Sequence, residues 1–159
     1  MRVRVTVADM CEASFYDLQH RQDVPRLAAR LSDPLGRLHD RDFRSDRPGR
    51  SFDHAPLSSG RRGATPHHSV GGERRARTHE AELFALKIAD ELERGWRSHE
   101  FDRLVIMAPP AFLGLLRKAL PESVRSRIAA EVVKDLVHQS PEVLQSHLPW
   151  KVFREALHT

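Results

Sequence analysis

The chain has 159 residues, 40% of them hydrophobic and 30% charged, a net charge of +4 and one cysteine, Cys11. This length fits one domain, residues 1–159, around a single core. One cysteine excludes an internal disulfide or a cysteine-based zinc site, and no apolar run approaches the ~20 residues of a membrane span.

Val3, Val5 and Val7 alternate with Arg2, Arg4 and Thr6, which predicts a strand with one buried face. The alternation also lacks the apolar stretch of an export signal, so the expected location is the cytoplasm, without membrane insertion. After a turn at residues 9–12, residues 13–18 predict a second strand paired to the first as a hairpin. Residues 24–31 suit either a short helix or a third strand.

From residue 33 to 78 the composition shifts to glycine, proline, serine, histidine and arginine. Such a segment buries too little apolar surface to offset its ordering entropy. It is expected to be a long mobile loop, with residues 53–78 as its flexible part and residues 60–72 poorly ordered without a partner. Nine arginines against four acids lie between Arg41 and His79, so the basic surplus of the chain is concentrated here.

Ala81, Phe84, Ala85, Ile88 and Leu92 then share one face at helical spacing, predicting a helix over residues 76–94 with Gly95 as its stop. Leu104, Val105, Ile106, Met107 and Ala108 form a continuous apolar run cut off by two prolines, as in a strand buried on both faces. Phe112, Leu115, Leu116 and Leu120 predict a short helix ended by Pro121. Residues 128–133 suit a strand or a helix. Ser140 and Pro141 carry the N-cap and first-turn signals of a last helix, and residues 150–157 suggest a docked tail. The expected class is α/β, a sheet covered by helices.

The run from Asp33 through Gly36, Asp40, Phe43, Pro48 and Gly49 to Asp53 resembles the central signature of the bacterial host attachment protein family. Residues 79–85, 101–116 and 131–138 fit the same family. The order of elements more distantly resembles the middle domain of archaeo-eukaryotic peptide-chain release factors, an RNase H-like α/β fold. There a Gly-Gly-Gln loop precedes a long helix. Here Gly71, Gly72 and Glu73 precede the predicted helix. The resemblance implies a ribosome- or tRNA-associated role, with ribosome rescue by peptidyl-tRNA hydrolysis as its enzymatic form.

The third residue departs from that motif, because glutamate brings negative charge toward an RNA-rich site where glutamine brings none. Its backbone N–H still suits a developing oxyanion, and two glycines permit close approach. The alternative is a flexible hinge before a helix. The nucleic-acid-binding candidates are Arg61, Arg62, Arg74, Arg75 and Arg77, which have few acids nearby. A secondary basic set is Arg41, Arg44, Arg47 and Arg50, whose guanidinium groups suit phosphate but alternate with Asp40, Asp42, Asp46 and Asp53. A third reading is a non-enzymatic factor whose loop binds protein or polysaccharide. His54, His67, His68 and His79 lack metal-ligand spacing, so neither a metal nor a cofactor is expected. Asp9 and Glu12 alone do not make a two-metal nuclease. Oligomeric state is not legible from the residues.

Overall fold

The computed structural model describes residues 1–35 and 64–154. Strand β1 (Val3–Ala8) and strand β2 (Glu12–Leu18) form the expected antiparallel hairpin, with Val3 paired to Leu18 and Ala8 to Ala13. Asp9 closes its turn, its Oδ1 accepting the backbone N–H groups of Cys11 and Glu12 at 2.8 Å each. The stretch compatible with helix or strand is a strand, β3 (Arg26–Ser32), antiparallel to β2. Helix α1 (Ala64–Arg97) leads into strand β4 (Arg103–Ala108) and helix α2 (Pro110–Ala119). A one-turn helix α3 (Glu122–Arg125), strand β5 (Ile128–Val133), helix α4 (Pro141–Ser146) and a 3-10 turn (Trp150–Phe153) follow.

The five strands form one mixed sheet in the order β3-β2-β1-β4-β5, with β4 parallel to both β1 and β5. The class is therefore α/β. Phe15, Leu104 and Ile106 face α1 and α2, where Phe84, Ile88, Leu92, Phe112 and Leu116 are buried. The Phe84 and Phe112 rings lie 6.1 Å apart. Val3, Val5, Val7, Tyr16, Val105 and Met107 face the other way, onto Leu136, Leu144, Leu148 and Val152. Burying each such large side chain contributes roughly 1.5–3 kcal/mol.

The C-terminal signals read as written. Ser140 Oγ accepts the Val143 N–H, and Pro141 occupies the first turn of α4. Arg103 of β4 donates to the carbonyl oxygens of Val152 and Arg154, which holds the tail against the sheet.

Three expectations need correction. First, β1 is buried on both faces rather than one: Arg4 is 3% exposed and Thr6 0%. Alternation with arginine suggests a wet face, but α1 covers it, and acidic side chains neutralise Arg4 where it is buried.

Second, residues 64–78 are helix rather than loop, and so are 64–72 within the segment expected to be poorly ordered. A helix nucleated by a docked half propagates at low cost per residue. Gly71 and Gly72 each disfavour it by only about 1 kcal/mol relative to alanine, and Pro66 falls in the first turn, where a missing N–H breaks no bond. The rest of the predicted flexible loop, residues 53–63, lies outside the described residues.

Third, Gly95 does not stop the helix. The stop is His99, with φ 58°. Its N–H bonds the Trp96 carbonyl, and the Glu100 N–H bonds the Gly95 carbonyl. These two bonds form a Schellman motif.

Candidate nucleic-acid interface

Helix α1 has two halves of different character. At 1.5 Å per residue its 34 residues span roughly 51 Å, whereas a six-residue strand such as β1 spans about 20 Å. Ala81, Phe84, Ala85, Ile88, Ala89 and Leu92 are buried against the sheet. Toward the N-terminus the stripe changes chemistry. Arg74, Arg77 and Thr78 stand one heptad before Ala81, Phe84 and Ala85, so they continue the same line to within about 20°.

Those positions are nevertheless not buried like the stripe they continue. Arg74 and Thr78 are exposed and Arg77 is intermediate, while Arg75, on the flank, is exposed. Thr78 Oγ1 donates back to the Arg74 carbonyl at 2.9 Å. The helix thus presents a basic surface along the line that is apolar one heptad later.

Of the sequence-predicted site residues, Arg74, Arg75 and Arg77 are brought together here. Arg61, Arg62, Arg41, Arg44, Arg47 and Arg50 lie outside the described residues. Gly71, Gly72 and Glu73 are about two turns inside α1, not in a loop before it. That placement removes the chemistry proposed for them. Gly72 does not use the left-handed backbone that its lack of a side chain permits. A helix-interior N–H at Glu73 is directed at the carbonyl of Ser69, four residues back, and is not open to an oxyanion.

Among the described residues no three His, Cys, Asp or Glu side chains converge to hold a metal ion. No described helix is long and apolar enough to cross a membrane.

The structure also shows a charged cluster that the sequence concealed. Arg4 lies under the C-terminal end of α1. Its Nε and Nη2 donate to the two carboxylate oxygens of Asp17 at 2.8 and 2.9 Å, and its Nη1 donates to Glu100 at 2.9 Å. Its guanidinium carbon sits 5.2 Å from the Phe101 ring centroid. Burial opposes the charge on Arg4, yet hydrogen bonds to Asp17 and Glu100 outweigh it and raise its pKa. Hydrogen bonds from Arg94 and Arg4 overcome desolvation at Glu100 and hold its carboxyl below the ordinary value. Gly95 is the residue that admits this cluster, since a Cβ there would meet Arg4 Nη1 at 2.6 Å. An arginine flanked by valines gives no sequence signal of partners 13 and 96 positions away.

Residues 4–148 match the family model described as "Protein required for attachment to host cells". The chain belongs to this host attachment family. No curated protein matches it in sequence. The family description concerns a process and carries no chemistry, so the residues themselves must supply the mechanism.

Proposed function

We propose that this host attachment family protein is a non-enzymatic RNA-binding factor associated with the ribosome or tRNA, and that the N-terminal half of α1 is its RNA-contacting arm. The observation that carries the reading is the change of the core stripe before Ala81 into the exposed Arg74 and half-buried Arg77, with the exposed Arg75 on its flank. A stripe that served only packing would stay apolar or end. This one continues as guanidinium groups, which suit phosphate through their planar forks.

Arg61 and Arg62 precede α1 in the chain, and Arg41, Arg44, Arg47 and Arg50 lie further upstream. Binding through such groups releases counterions, with a slope of about 0.7 per phosphate on single strands. The release-factor-like comparison rests on the order of elements read from the sequence. The hydrolase version has no comparable support, because Gly71, Gly72 and Glu73 are helical.

The test replaces Arg61, Arg62, Arg74, Arg75 and Arg77 with alanine and measures RNA affinity across a salt series. The reading requires weaker binding and a flatter salt dependence, with the fold unchanged. An unaltered salt slope would remove this arm from the interface.

A further inference from the structure

A cleft of about 370 Å³ opens on the sheet face opposite α1, between β3 and the loop at residues 137–139. It exists because the segment that covers β1 and β4 on this face stops short of β3. Its floor is made by β2. Ser14 and Tyr16 line it while being only 7% and 4% exposed. Neither hydroxyl has a hydrogen-bond partner among the described residues. Both oxygens keep solvent access although the residues are nearly buried, so they open onto the cleft and can bond a polar occupant in place of water.

The walls narrow the choice of occupant. Arg30 stands directly across the strand pair from Ser14, and it has no acidic partner among the described residues. On the other side His138 Nδ1 lies 3.8 Å from Glu12 Oε2. A bare phosphate would use Arg30 but face the Glu12 carboxylate. A neutral sugar would use the hydroxyls and Glu12 but leave Arg30 idle. One molecule carrying both groups uses all of them, and the volume lies within the range of small-molecule sites, about 300–1,000 Å³.

We propose that this cleft binds a small phosphorylated sugar, with Arg30 forked onto the phosphate and Ser14, Tyr16 and Glu12 bonding the sugar hydroxyls. The site is separate from the arm of α1, and neither depends on the other. The source is either a free sugar phosphate or the ribose phosphate of a nucleotide.

The test titrates the full chain with ribose 5-phosphate, inorganic phosphate, ribose and adenosine 5′-monophosphate, following backbone amide NMR shifts of residues 12–16, 30–32 and 137–139. Saturable binding of ribose 5-phosphate with Kd at or below about 1 mM is expected, tighter than either phosphate or ribose. Arg30→Ala should weaken it tenfold or more, and Tyr16→Phe a few-fold, as loss of a charged and a neutral hydrogen bond implies. Arg30 is exposed and Tyr16→Phe removes only a hydroxyl, so both variants should fold. Tighter binding of adenosine monophosphate than of ribose 5-phosphate assigns the site to nucleotides, and the reverse assigns it to free sugar phosphates. No saturable binding of either phosphorylated probe, or binding unchanged in both variants, overturns the proposal.

Discussion

Thr6 sits in the middle of β1, fully buried, and its Oγ1 has no hydrogen-bond partner among the described residues. An unpaired buried hydroxyl costs about 1–3 kcal/mol. Valine has nearly the same shape and favours strands, so Thr6→Val should raise unfolding free energy by about 1 kcal/mol in denaturant melts. A loss of stability would mean that the hydroxyl has a partner after all.

His99 carries the other residue-scale strain, a left-handed backbone in a side chain with a Cβ, which costs roughly 1–2 kcal/mol. Glycine relieves this but loosens the unfolded chain. His99→Gly should therefore stabilise modestly, by up to about 1 kcal/mol, with the Schellman bonds intact. A destabilised variant would show that the imidazole contributes to the cap.

The Arg4 cluster behaves asymmetrically because its members differ in exposure. The Arg4 side chain is 4% exposed, those of Asp17 and Glu100 41% and 32%. Removing Arg4 leaves acids that water can reach. Removing Asp17 leaves a buried cation with one partner fewer, which costs more than leaving a carboxylate that water reaches. Asp17→Asn should thus destabilise more than Arg4→Met, and the reverse order in melts would contradict this account of the cluster.

At the scale of elements, α1 does two jobs with one helix. Its C-terminal half packs on the sheet; its N-terminal half presents arginines. Gly72 lies in the N-terminal half, and a Cβ there would meet nothing within 4 Å. Gly72→Ala should therefore stabilise the helix locally by about 1 kcal/mol. Slower amide exchange around residue 72 is the expected readout, with little change in global melting. Faster exchange there would argue that the glycine serves a non-helical state.

The elements differ in how legible they were. β4 announced itself as five apolar residues between a turn and two prolines, and the buried stripe of α1 by its 3.6-residue spacing. The N-terminal half of α1 did not, because glycine, histidine and serine lower helix propensity there while extension from a docked half supplies the order that local composition lacks. β3 was ambiguous because it is an edge strand, largely exposed, with no clean alternation. Arg74, Arg75 and Arg77 were legible as a basic cluster; that Arg74 and Arg77 continue the core stripe needed the helix boundary.

Across the whole molecule, the lowered carboxyls set its response to acid. A backbone hydrogen bond from Arg2 holds Asp102 down, one from His20 holds Asp23 down, and the Arg94 hydrogen bond holds Glu100 down. A carboxyl whose folded pKa is depressed contributes stability above its unfolded value and loses it as pH falls through the folded one. Stability should therefore be level near neutrality and decline as pH drops below the ordinary Glu100 value of 4.5. Glu100→Gln should shallow that decline in melts at pH 3–5.

Long-range pairing was the least legible feature at this scale. The salt bridges that bury Arg4 and the cleft between β3 and residues 137–139 both depend on segments distant in sequence. The central claim is that arginines on the outer half of α1 contact RNA. Co-sedimentation of the full chain with ribosomes, at low and high salt, tests it most directly when paired with the five-arginine alanine variant. The account predicts that the parent pellets at low salt and is released at high salt, and that the variant stays in solution at both. Equal pelleting of parent and variant, or no pelleting of the parent at low salt, would contradict it.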